Sequence, residues 1–252
     1  MPARAFVIAH YDSAGRVARH LRGLIAHLGT LSNRVVFVST ELDPAEGRTL
    51  PAGVEVITRP NVGYDFFSYK RGIEALGALD AFDQLVIVNS SFVCLDPAVL
   101  TQRFFARSSP GIDVLGLTAN FEHAAHLQSY WISFENRRVL DSPAFSNWWR
   151  DMAPVSQRGL VIPRYEVGLS QAMNQAGLRL ASAFSPPAGQ RPTGAHRNPT
   201  HIFWEPLMEQ FAILKLELLR SNPFRMDLGK LDAVLRARPD WRALIDDALA
   251  SP

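Results

Sequence analysis

The chain has 252 residues, 47% hydrophobic and 20% charged, so one sizeable core can form without covalent staples. A formal net charge of +2 gives no broad attraction to nucleic acid. The single cysteine, Cys94, excludes an intrachain disulfide, and its apolar neighbours Phe92, Val93 and Leu95 point to a small core residue rather than a nucleophile.

In chain order, Arg4–His10 reads as a buried strand (Ala5, Phe6, Val7, Ile8, Ala9). Val17–Leu28 then has the spacing of a helix, Arg34–Ser39 and Val54–Thr58 read as strands, and Phe66–Leu79 as a helix. Gln84–Asn89 is a fourth strand, Pro97–Ala106 a helix, and Val114–Thr118 and Gln128–Phe134 further strands. Ser142–Met152 is a helix with Ser142 as N-cap and Pro143 in the first turn. Glu166–Ala176 is a helix closed by Gly177, and Ser185–Asn198 is a long loop rich in Pro, Gly and Arg. Trp204–Arg220 carries Trp204, Leu207, Phe211, Leu214 and Leu218 on one helical stripe, with Pro223 beyond its end. Leu228–Ala237 and Trp241–Leu249 are two more helices.

Buried strands alternating with helices imply right-handed βαβ units and a mostly parallel sheet. The expected division is an α/β domain over residues 1–225 and a helical C-terminal extension over 226–252. The Met1–His10 stretch is too brief for a signal peptide and no run reaches transmembrane length, which predicts a cytoplasmic protein.

In such sheets ligands sit at the carboxyl ends of the strands. That rule selects His10, the Arg59–Gly72 segment and Asn89-Ser90-Ser91. Gly63 permits a tight turn, and Asn61, Asp65 and Lys70 place an amide, a carboxylate and an ammonium near one strand end, a mix suited to a base, ribose or diphosphate. The bland alternative is a turn and helix cap, with Asn89, Ser90 and Ser91 an ordinary turn. His123 and His126 have metal-pair spacing without a partnering Cys or carboxylate. Glu166, near a helix start, reads as a general base or as a carboxylate favoured by the helix dipole.

Five segments, RPNVGYDFFSYKRG (59–72), VIVNSSFV (86–93), HLQSYW (126–131), YEVGLS (165–170) and RNPTHIFWEPLMEQFAILKLELLRSNP (197–223), together resemble the rhamnan synthesis F family of polysaccharide and lipopolysaccharide assembly, related to GT-A glycosyltransferases. The resemblance implies a GT-A-like (Rossmann-type), mostly parallel sheet flanked by helices. It implies a transferase that moves a sugar from a nucleoside-diphosphate donor such as dTDP-rhamnose to a growing glycan or lipid-linked glycan, with inversion. It puts His10, Asn61, Gly63, Asp65, Lys70, Asn89, Ser90 and Ser91 in the donor pocket, Glu166 as base, and His126 and Gln128 at the acceptor. It further implies other glycan-assembly proteins as partners and a place at the inner face of a membrane. The alternative is a catalytically silent nucleotide-sugar or glycan-binding subunit that pairs with an active transferase. One departure stands out: GT-A enzymes carry an acid at the strand end where this chain has Ser90. That weakens the expectation of Mg²⁺ or Mn²⁺ and leaves Asp12, Glu41 or Asp65, or the cationic Arg191, His196 and Arg197, to compensate.

Overall fold

A computed structural model describes residues 2–187 and 198–250. The strands are β1 (Arg4–His10), β2 (Arg34–Ser39), β3 (Val54–Thr58), β4 (Gln84–Asn89), β5 (Phe92–Cys94), β6 (Val114–Gly116), β7 (Ala119–Asn120), β8 (His126–Leu127), β9 (Trp131–Phe134), β10 (Leu180–Ser182) and β11 (Ile213–Lys215). The helices are α1 (Arg19–Thr30), α2 (Pro44–Gly47), α3 (Tyr64–Leu76), α4 (Pro97–Phe105), α5 (Arg137–Leu140), α6 (Pro143–Asp151), α7 (Gly168–Gln175), α8 (Pro199–Ile202), α9 (Trp204–Phe211), α10 (Leu216–Arg220), α11 (Gly229–Ala237) and α12 (Pro239–Leu249). A seven-stranded sheet runs β10-β6-β9-β4-β1-β2-β3, with β5–β11 and β7–β8 as two-stranded additions. It is the mostly parallel α/β sheet expected; β9 alone runs antiparallel to its neighbours β4 and β6.

The two-residue period of a strand sorts its side chains between two cores. Ala5, Val7 and Ala9 of β1, Val36 and Val38 of β2, and Leu85 and Ile87 of β4 face α3, α6 and α7. Phe6, Ile8, Val35, Phe37, Val86 and Val88 face α1, α4 and α9. Because both faces are covered, β1 and β4 are apolar along nearly their whole length. Cys94 is buried, as its neighbours implied, and burial pushes its thiol well above the usual range.

Gly72 lets α3 lie directly on the sheet. A Cβ there would stand 2.2 Å from Val7 Cγ1 and 3.2 Å from Val38 Cγ2, both fully buried. Gly23, exposed on α1, has nothing within 4 Å of such a Cβ. Helix propensity favours Ala over Gly by about 1 kcal/mol at either site, whereas overpacking costs about 1–3 kcal/mol. Gly72→Ala is therefore expected to lower the urea midpoint and Gly23→Ala to raise it, with unchanged m-values. Equal shifts in one direction would contradict this packing.

Three sequence expectations change. The stripe from Trp204 to Arg220 is not one helix: Ala212, at φ 52° and ψ 44°, breaks it into α9, β11 and α10. Leu214 and Leu218 are still buried, but against β5 and the C-terminal helices. Glu166 does not open a helix; it lies within a π-helical segment, Ile162–Val167, that runs into α7. The Gln128–Phe134 strand begins only at Trp131, with β8 as a separate short piece. The helix cap at Ser142, which accepts from the Phe145 amide, and the left-handed Gly177 after α7 are as expected.

The C-terminal helices pack on the α/β unit through Val93, Leu95, Trp204, Leu231, Leu235 and Ile245. Asp247 of α12 accepts a hydrogen bond from the Arg19 amide at 2.6 Å, supplying α1 with the N-terminal carboxylate that Ala18 cannot. Among the described residues, no helix is long and apolar enough to cross a membrane.

Candidate active site

The parallel registers Ala9↔Asn89, His10↔Ser39 and Ser39↔Thr58 bring four strand ends to one edge of the sheet. At the end of β4, the Asn89 amide becomes a hub. Its Nδ2 donates to Asp65 Oδ2 at 2.8 Å, and its Oδ1 accepts from the Ser91 amide at 3.0 Å and from Ser91 Oγ at 2.5 Å. Asp65 sits in the first turn of α3. Burial raises its carboxyl to about 6, against the opposing pull of Lys215 and the Asn89 hydrogen bond, with Glu166 pushing it further up.

Glu166 reaches the same edge from the other half of the chain. Its Oε1 accepts from the Ser129 amide at 2.9 Å and from Ser129 Oγ at 2.5 Å, while Oε2 lies 3.4 Å from His126 Nε2. Burial would push this carboxyl up; the donors on His126 and Ser129 outweigh it and hold Glu166 below the usual carboxylate value. His126 Nδ1 donates to the Ala124 carbonyl at 2.8 Å, so Nε2 can bond to a carboxylate only if it too carries a proton. Burial depresses His126, but Glu166 and that carbonyl outweigh it and hold the ring above its ordinary value. Nε2 and Oε2 face each other at 3.4 Å, and each group favours the charged form of the other. Tyr69, on α3, donates its hydroxyl to the Ser129 carbonyl at 2.8 Å and so steadies the loop that holds Glu166.

Lys215, at the end of β11, donates to Ser91 Oγ at 2.6 Å, and its Nζ lies 4.3 Å from the centre of the Tyr130 ring. Burial lowers the ammonium to about 8, with Glu166 and Asp65 pulling it back up. Thr118 donates to Gln128 Oε1 at 2.8 Å, and Gln128 Nε2 donates to Asn198 Oδ1 at 3.1 Å, which ties this strand end to the start of α8.

Of the residues singled out in the sequence, Asp65, Asn89, Ser91, His126 and Glu166 meet in this cluster. Ser90 stands beside it, its hydroxyl accepting from the Tyr11 amide at 3.3 Å. His10 lies beneath the edge with both ring nitrogens engaged: Nε2 donates to the Arg16 carbonyl at 3.0 Å and Nδ1 is 2.9 Å from Ser39 Oγ. Gly63 (φ 76°) and the exposed Asn61 form the turn before α3, which Arg59 holds through the Pro60, Val62 and Tyr64 carbonyls. Lys70 points elsewhere, donating to the Arg150 and Met152 carbonyls at 2.7 and 3.3 Å and so capping the end of α6. His123 lies by Glu122 at 3.8 Å, apart from the His126–Glu166 pair. Arg191, His196 and Arg197 lie outside the described residues. Sequence reasoning missed Lys215 and Ser129; neither has a local signal, since both act on residues 37 or more positions away.

A hard divalent cation needs several oxygen ligands. The β4 end offers hydroxyls at Ser90 and Ser91, Asn89 is spent on internal hydrogen bonds, and an ammonium stands over Ser91. Among the described residues no three His, Cys, Asp or Glu side chains are arranged to hold a metal. The donor set does not fit one.

The family model for rhamnan synthesis protein F matches residues 35–226, from β2 through the break that delivers Lys215. The chain belongs to the rhamnan synthesis protein F family. Every member of the Asp65–Glu166–Lys215 cluster lies inside the matched span. Similar curated proteins are an uncharacterized protein y4gN of Sinorhizobium fredii, 31% identical over 52% of this chain, and the virulence protein VirA of Vibrio anguillarum, 26% identical over 66%. The chain spans 35% and 62% of their respective lengths. Among solved structures, glucosyl-3-phosphoglycerate synthase from Mycobacterium tuberculosis in complex with Mn²⁺ and UDP-glucose is similar at TM-score 0.47 and 13% identity, covering 76% of this chain and 72% of that one. The 4-diphosphocytidyl-2C-methyl-D-erythritol synthase from Anaerococcus prevotii is similar at TM-score 0.45 and 7% identity, covering 72% and 87%.

Proposed function

We propose that this chain is a glycosyltransferase that moves a sugar from a nucleoside-diphosphate donor to a glycan acceptor with inversion, rhamnose being the sugar its family suggests. The observation that carries the reading is the meeting of Asp65 and Glu166 at the carboxyl edge of the sheet, one carboxyl raised and the other lowered by its surroundings. The donor lies along the ends of β1 and β4, against Asp65, Asn89, Ser90 and Ser91, with the Asn61–Gly63 turn and His10 shaping the floor. The acceptor enters from the His126 and Gln128 side, and Glu166 takes its hydroxyl proton. Residues 1–225 form the transferase domain and 226–252 the extension that braces it; the acceptor is presented by partner glycan-assembly proteins at the inner face of a membrane.

The same protein as a silent sugar-nucleotide-binding subunit is favoured by Ser90, which stands where an acid would help hold a catalytic cation. A thermal-shift panel of thymidine, uridine and guanosine diphosphate sugars tests the donor site. A ligand at about one hundred times its Kd stabilises the native state by about 2.7 kcal/mol, and an upward shift with at least one nucleotide is expected. No shift across the panel, with or without Mg²⁺ or Mn²⁺, removes the donor-site reading. A shift without turnover on any glycan acceptor selects the silent subunit.

A further inference from the structure

We propose that Lys215 occupies the place of a divalent cation and holds the donor diphosphate directly, so that this protein binds its donor without a metal. The inference rests on the donor site proposed above and concerns what supplies positive charge there.

The backbone delivers the ammonium. β11 pairs antiparallel with β5 in the register Lys215↔Phe92, and the Leu216 amide donates to the Ser91 carbonyl at 3.1 Å. These contacts set residue 215 beside Ser91, two residues beyond the end of β4. Its Nζ is then tethered by Ser91 Oγ at 2.6 Å and lies over Tyr130 at 4.3 Å.

Among the described residues the ammonium has no counter-ion at contact distance. No carboxylate among them makes an ion pair with it; its partners are the Ser91 hydroxyl and the Tyr130 ring face. Asp65, Glu166 and Glu217 act on it only through space. A desolvated cation with neutral partners is costly, and the cost is relieved when an anion arrives. A lysine is a compact point charge with three donors, of which Ser91 takes one, so two remain for diphosphate oxygens.

The chemistry needs such a charge. In the transfer, the bond from the sugar's anomeric carbon to the diphosphate oxygen breaks and its electron pair leaves with the diphosphate. The acceptor oxygen bonds to that carbon and its proton passes to Glu166. Lys215 stays protonated throughout and stabilises the negative charge that gathers on the leaving group.

The test is titration calorimetry of UDP, dTDP and GDP, and of the matching nucleosides, against wild type, Lys215→Met and Lys215→Arg, each in EDTA and in excess Mg²⁺ or Mn²⁺. At least one nucleoside diphosphate is expected to bind wild type in EDTA, with the divalent ion changing its Kd less than about threefold. Lys215→Met is expected to weaken that binding about 30-fold or more, while the nucleoside binds both proteins alike and Lys215→Arg recovers part of the loss. The apo Lys215→Met protein is expected to melt no lower than wild type, because a half-buried charge without an ion-pair partner is replaced by an apolar chain of similar length. Binding that requires the divalent ion, or Lys215→Met binding within threefold of wild type, overturns the assignment while leaving the donor site standing. No binding by any nucleotide under any condition removes the donor site and this assignment with it.

Discussion

Glu166→Gln is expected to lower turnover about 10²–10⁴-fold, the usual contribution of a positioned general base, while donor affinity stays within a few-fold of wild type. The amide keeps the shape of the carboxyl and an oxygen to accept from the Ser129 amide and hydroxyl. What it loses is the capacity to take a proton and the negative charge that faces His126 at 3.4 Å. The donor side of the site, built on Asp65, Asn89 and Ser91, is untouched. Ser129→Ala gives a finer reading. It removes a donor that favours the ionised carboxylate, so the acid limb of the rate profile should move to higher pH. Unchanged turnover in Glu166→Gln at saturating donor would exclude Glu166 as the base.

Acid should destabilise the fold through two buried histidines, and removal of Asp65 should make the loss steeper. Burial holds His10 and His20 at about 4, against an ordinary 6.5. The Cys94 amide donates to His20 Nδ1 at 3.3 Å, a contact that requires that nitrogen to be bare. Between pH 6.5 and 4 the unfolded chain binds ring protons that the folded chain refuses. The stability from each neutral ring is therefore intact above pH 6.5 and is lost as pH falls toward 4, on the order of 3 kcal/mol per ring. Asp65 works the other way. Its folded value of about 6 lies above the ordinary 3.8, so the folded chain takes up that proton first and regains on the order of 3 kcal/mol over the same range. His126, held above its ordinary value, acts only above pH 6.5. His201, buried and also held below its ordinary value, loses stability in the same direction, so the net loss is at least about one ring's worth. Urea midpoints at pH 7 and pH 4.5 are expected to show it, with a larger drop in Asp65→Asn and a smaller one in His20→Gln. Equal drops in all three proteins would refute the account.

The central sheet was readable because β1, β2 and β4 are near-continuous apolar runs, which only strands covered on both faces require. The rule that ligands gather at carboxyl strand ends points to Asn89 and Ser91 from the sequence alone. Asp65 is legible for the same reason, sitting in the first turn of the helix that follows a strand. Lys215 is not. The stripe Trp204, Leu207, Phe211, Leu214, Leu218 keeps helical spacing straight through Ala212, and nothing in an alanine announces a left-handed φ. β5 and β11 have three residues each, too few for an alternation to show. Lys70 was misleading in the opposite sense: its neighbours in sequence belong to the site, but the helical period turns its side chain toward the end of α6. Glu166 was found, yet the forces that tune it come from Ser129 and His126 rather than from its own helix.

The left-handed turn at Ala212 has a consequence for how this protein tolerates change. Successive side chains of a strand point to opposite faces, so gaining or losing one residue between Phe211 and Ile213 would swing the ammonium off the Ser91 side and put Leu214 or Leu216 there instead. Side chains around this bend can be exchanged for others of similar size, but its length cannot drift. The spacing from Ala212 to Lys215 is a ruler, and homologous chains that bind the same ligand should vary in composition there long before they vary in length.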